Sequence, residues 1–100
     1  MVSREEVVEV LKNVEDPELA FSIVDLGLVY RVDVKENAIE VDFTLTYPGC
    51  PAEDIIRHDI VETLRDAFGL VDVSANVVWS PLWGPERMSE EARVAMGYPI

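Results

Sequence analysis

The sequence has a single cysteine, Cys50, and a single histidine, His58, in 100 residues. That scarcity excludes much chemistry. One cysteine cannot close a disulfide within the chain, which fits a reducing cytoplasm. Structural zinc takes about four ligands, usually Cys or His paired at close spacing, and no such set is present. Iron–sulfur clusters are ordinarily held by several thiolates, so a monomer with one sulfur does not store one stably. A Cys–His nucleophile needs the two side chains within hydrogen-bond reach. His58 stands further along the same expected helix, roughly 12 Å from Cys50 by the helical rise. Flanked by Asp54 and Glu62, it reads as a solvated helix residue.

Glycine and lysine are also sparse. Gly27, Gly49, Gly69, Gly84 and Gly97 are too dispersed for a phosphate-cradling loop. Lysine occurs only at Lys12 and Lys35, and 20 acidic residues against eight basic ones leave a net charge of −12. Such a chain does not bind nucleic acid through its phosphates or seek an anionic membrane. No apolar run approaches the roughly 20 residues that cross a bilayer. The opening Met1-Val2-Ser3-Arg4-Glu5-Glu6 lacks the basic and apolar segments of a secretory signal. Carboxylates are so common that no pair of them singles itself out.

What is present describes one domain over residues 1–100, with 49% apolar residues to build a core. Ser3-Arg4-Glu5-Glu6 reads as a capping box that opens a helix over about residues 4–14, with Val7, Val8, Leu11 and Val14 on its apolar face. Asp16-Pro17 ends it. Residues 16–27 form a loop with apolar anchors. Residues 28–35 then alternate, with Leu28, Tyr30, Val32 and Val34 on one side. Residues 39–46 alternate again, with Ile39, Val41, Phe43 and Leu45 inward and Thr44 and Thr46 outward. Glu36-Asn37 between them makes a hairpin. A second helix carries Ala52, Ile55, Ile56, Ile60, Leu64, Ala67 and Phe68 on one stripe and ends at Gly69. A third strand runs over 71–79 from Val71, and Ser89 caps a last short helix that stops at Gly97. The expected fold is α+β, a two-layer sandwich in the order helix-strand-strand-helix-strand-helix. It has a small mixed sheet with helices on one face.

The candidate site is the turn Thr46-Tyr47-Pro48-Gly49-Cys50-Pro51. Pro51 suits the first position of a helix, which places Cys50 at the N-cap. Amides of Ala52 and Glu53 and the helix dipole would then favour a thiolate, although Glu53 and Asp54 partly cancel the dipole. A lone cysteine also serves often as a small buried hydrophobe. The residues alone leave both roles open.

Four stretches in order carry a resemblance that covers nearly the whole chain. They are Asp16-Pro17-Glu18-Leu19, Ser22-Ile23-Val24-Asp25-Leu26-Gly27-Leu28-Val29-Tyr30, Leu45-Thr46 with Pro48-Gly49-Cys50-Pro51, and the run from Trp79 to Arg93. The chain resembles the iron–sulfur assembly domain family that includes SufT, PaaD and the eukaryotic cytosolic iron–sulfur targeting subunit. Within that family it is expected to be a bare domain, without the ATPase fusion of some relatives. The resemblance implies a non-enzymatic cytoplasmic factor that matures iron–sulfur proteins through a reactive thiol matching Cys50. The implied cofactor is a transient iron–sulfur cluster, and the implied partners are the assembly machinery and client apo-proteins.

By the same analogy Asp16, Glu18, Asp25 and Thr46 gather near Cys50 and Pro51, with Trp83, Arg87 and Ser89 in support. Asp25 could instead cap a local turn. Trp83 is either a latch on the core or a rim of the site, and Arg87 either pairs with a loop carboxylate or offsets charge near the thiolate. A homodimer is the expected assembly, since two sulfurs ligate better than one and short strands leave edges to pair. The alternative is an interaction adaptor in which Cys50 is structural.

Overall fold

The computed structural model describes residues 2–69 and 72–97. Helix α1, Arg4–Leu11, starts with the expected capping box: the Ser3 hydroxyl accepts from the Glu6 amide and the Glu6 carboxylate from the Ser3 amide, both at 3.1 Å. It ends earlier than its apolar pattern, because residues 12–14 close as tight turns; Val14 is nonetheless buried. Strand β1, Val29–Val34, pairs antiparallel with β2, Ala38–Phe43. Helix α2, Glu53–Phe68, ends at Gly69 in the left-handed conformation, and β3, Asp72–Val77, lies parallel to β2. The expected strand start at Val71 lies outside the described residues. A 3-10 turn, Pro85–Arg87, precedes α3, Glu90–Met96, which Ser89 caps through the Ala92 amide.

The element order and the mixed α+β sheet, ordered β1-β2-β3, are those expected. Helices α1 and α2 pack on each other and on one face of the sheet. Between the layers, Leu11, Phe43, Ile56, Ile60 and Leu64 have essentially no exposed surface. Each such side chain contributes about 1.5–3 kcal/mol relative to exposure. Helix α3 docks elsewhere: the Ser89 amide donates to the Asp25 carbonyl at 2.7 Å, tying it to the 16–27 loop. The other sheet face is polar, with Arg31 bonded to Asp42 and Glu40.

Three expected orientations differ. Thr44, expected outward, is fully buried just past the end of β2, although its amide still donates to the Leu28 carbonyl at 2.8 Å. Ile55 is 52% exposed, because Ile56, Ile60 and Leu64 repeat every four residues toward the sheet and leave it on the flank. In β1 the register breaks: Val29 faces Phe43 and Arg31 faces Asp42, so Tyr30 and Arg31 together oppose one residue. Such a bulge re-aims side chains. Tyr30 lines a cleft with Arg31 on the polar face instead of joining Val32 in the core.

Candidate functional site

The 16–27 loop is fixed before it meets the cysteine. The buried Asp16 carboxylate accepts from the Glu18 amide at 2.8 Å and the Leu19 amide at 3.2 Å. Backbone bonds from Asp16 to Phe21 and from Ala20 to Asp16, at 2.9 and 2.8 Å, close its base. A bridge between Glu15 and Ser22 adds a further tie. Ala20 sits at φ 58°. That conformation costs an L-residue about 1–2 kcal/mol and persists where the surroundings over-determine it. The result is a rigid bracket carrying Glu18.

Glu18 reaches the thiol. The Cys50 Sγ donates to Glu18 Oε1 at 3.3 Å, and the Tyr47 hydroxyl lies 3.2 Å from both Glu18 oxygens. Cys50 is only 5% exposed. Burial pushes its thiol above the ordinary value, and the Glu18 carboxylate adds to this; the Ala52 amide and Tyr47 hydroxyl pull the other way without reversing it. The Tyr47 phenol is pushed up to about 12, by desolvation first and then by its bond to Glu18. The helix start expected to favour a thiolate is thus corrected: the sulfur is covered, and its pKa is raised rather than lowered.

The N-cap placement is corrected with it. Cys50 lies in a turn closed by its carbonyl and the Glu53 amide at 3.3 Å, and α2 begins two residues later than expected, with Ala52 as N-cap. Pro51 occupies that turn, exposed, and not the first helical position. The sulfur lies beside the acidic loop, where the Ala52 amide acts to lower its pKa.

The other expected site residues separate from the thiol. Asp16 acts through the loop that carries Glu18 and has no bond to Cys50. Thr46 is half-buried and makes no side-chain hydrogen bond among the described residues. The Asp25 side chain caps no turn; the Ser22 hydroxyl does so, accepting from the Val24 amide at 3.1 Å. Trp83 is a latch, its indole N–H donating to the Leu26 carbonyl at 2.7 Å. Arg87 neither pairs with a carboxylate among the described residues nor touches the thiol; its guanidinium lies over the Tyr30 ring, 4.8 Å from the centroid. Ser89 caps α3. Tyr47 stands in the turn expected to be the site, but sequence reasoning gave its side chain no role. Its signal was an aromatic beside the Pro48-Gly49-Cys50 turn, and it remains 45% exposed while its hydroxyl is engaged.

The donor set has a definite size. Among the described residues no three or more His, Cys, Asp or Glu side chains gather to hold a metal ion. Cys50 and Glu18 together offer one sulfur and one carboxylate. A resident iron–sulfur cluster within one chain does not fit that set.

A family model described as iron–sulfur cluster assembly protein matches residues 4–77. The chain is 39% identical over 95 residues to the Fe-S protein maturation auxiliary factor YitW of Bacillus subtilis, covering 94% of this chain and 93% of that one. It is 42% identical over 83 residues to the Fe-S protein maturation auxiliary factor SufT of Staphylococcus aureus, covering 82% and 94%. A solved domain of unknown function from Bacillus anthracis superposes with a TM-score of 0.89 at 38% identity, over 95% of this chain and 92% of that one.

Proposed function

The chain belongs to the iron–sulfur cluster assembly protein family, and on that premise we propose that it is a maturation factor for iron–sulfur proteins that works through Cys50. The observation that carries this reading is the 3.3 Å contact between the Cys50 thiol and Glu18 on a rigid loop. The iron–sulfur cluster is cargo. Cys50 supplies one sulfur for a brief tether, a second copy supplies another, and a small thiol or the client completes the ligand set. Coordination requires the thiolate and releases its proton. Glu18 is placed to take that proton, so the thiol stays covered and neutral until a metal arrives. The role is accessory, with no substrate bond made or broken by the chain. Its partners are the iron–sulfur assembly machinery and client apo-proteins, its assembly while loaded is a homodimer, and its compartment is the cytoplasm.

The burial of Cys50 favours a second reading, an adaptor that recruits partners through its loops while the cysteine is structural. One variant separates the two. In cells lacking the native gene, Cys50→Ala is expected to accumulate as folded protein while client iron–sulfur enzymes lose activity. Full client activity in that strain removes the proposal and leaves the adaptor.

A further inference from the structure

Glu18 holds the thiol, but little holds the Glu18 side chain. The residue is exposed and makes no ion pair among the described residues. Fixing a glutamate side chain in one rotamer costs conformational entropy, so a single orientation needs a partner. Besides the thiol, that partner is the Tyr47 hydroxyl, 3.2 Å from each carboxylate oxygen. The hydroxyl thus spans the fork of the carboxylate and sets its direction, while Cys50 Sγ meets Oε1 at 3.3 Å.

The way the sulfur is covered is an independent observation. Cys50 is 5% exposed although Gly49 and Pro51 on either side of it are exposed. It therefore lies just under the surface, and the side chains bonded around it, Glu18 and Tyr47, both belong to exposed residues. Their supports differ. Glu18 stands on the tied 16–27 loop, whereas Tyr47 is carried by a turn with few ties. The amides of Leu45, Thr46, Tyr47 and Gly49 donate to no backbone carbonyl among the described residues. Nothing lies within 4 Å of where a Cβ on Gly49 would stand. Segments with few backbone bonds and little packing open at low free energy.

We propose that Tyr47 is a positioning residue whose hydroxyl latches Glu18 across Cys50, so that its turn forms a lid that parts before the sulfur takes a metal. This rests on the reading that cargo passes through Cys50. Closed, the latch keeps the carboxylate at the thiol and keeps incoming ligands off the sulfur. Open, it uncovers the sulfur and leaves Glu18 on its bracket, still within reach of the thiol proton. The turn is the part that moves, because the Asp16 bonds and the bridge between Glu15 and Ser22 hold the other side.

The test is the rate at which iodoacetamide alkylates Cys50 in the folded full chain at neutral pH, divided by the rate for the same protein unfolded in urea. Tyr47→Phe keeps the ring and removes the latch, and is expected to raise that ratio severalfold. Tyr47→Ala removes the cover as well and is expected to raise it at least about tenfold, the scale of one charge-assisted bond. A purely electrostatic role would act in the opposite sense. The hydroxyl lowers the thiol pKa, so its loss alone would slow alkylation. In a Glu18→Ala background no carboxylate remains to latch, and Tyr47→Phe is expected to add less than about twofold. Low urea separates the lid from global unfolding: the Tyr47→Phe gain is expected to stay flat below the unfolding transition. Client activity in the Cys50→Ala strain tests the underlying reading by itself, so the two fail separately. An unchanged or slower rate in Tyr47→Phe, a gain that climbs with urea from the start, or an equal gain with and without Glu18 would each overturn the proposal.

Discussion

Glu18 governs the thiol by charge as well as by contact, and this fixes how pH acts on it. The folded-state pKa of Cys50 is raised, by burial and then by Glu18. An unfolded cysteine titrates near about 8.5. The protonated thiol therefore stabilises the fold fully below that value, and the contribution is lost as pH rises through the higher folded value. Tyr47 acts in the same direction further up. Urea unfolding of the parent is expected to lose more stability between neutral and alkaline pH than Cys50→Ala does. Replacing the carboxylate reverses the cause: Glu18→Gln is expected to raise the alkylation rate of native Cys50 by iodoacetamide at neutral pH severalfold. An unchanged rate would mean that burial alone protects the sulfur. Thr44 is a separate residue-scale case, since its buried hydroxyl has no partner among the described residues. Thr44→Val is expected to leave stability unchanged or raise it by about 1 kcal/mol, read by denaturant midpoint.

At the scale of elements, the C-terminal segment is built onto the 16–27 loop at a point where only glycine fits. Gly27 has φ 73°, and a Cβ there would run into the carbonyl and Cβ of Arg87. Gly27→Ala is expected to cost about 2–3 kcal/mol, from left-handed strain and the displaced Arg87 backbone together. A thermal midpoint within a degree of the parent would contradict that packing. The caps at Ser3 and Ser89 and the stops at Gly69 and Gly97 were legible in the sequence because each is a bond or a φ angle set within a few residues. The bulge at Tyr30 was not, because register belongs to the pair of strands and leaves no mark on one of them. The start of α2 was misplaced for a related reason. Pro51 is equally compatible with a turn and with a first helical residue, and nothing in its immediate sequence decides between them.

At the scale of the molecule, a small domain brings one sulfur and one carboxylate to a fixed point and stops short of a complete ligand set. The cysteine and the loop acids were visible as motifs; that Glu18 alone among them touches the thiol, with Tyr47 beside it, depends on how the loop folds back on itself. The central claim is that cluster cargo passes through Cys50 and needs ligands from outside one chain. Anaerobic incubation with iron, sulfide and a small thiol, followed by visible absorption and native mass, measures this directly. The parent is expected to gain iron–sulfur absorption and a mass for two chains, and Cys50→Ala to gain neither. Equal loading of both proteins, or a cluster held by a single parent chain with no added thiol, would contradict the claim.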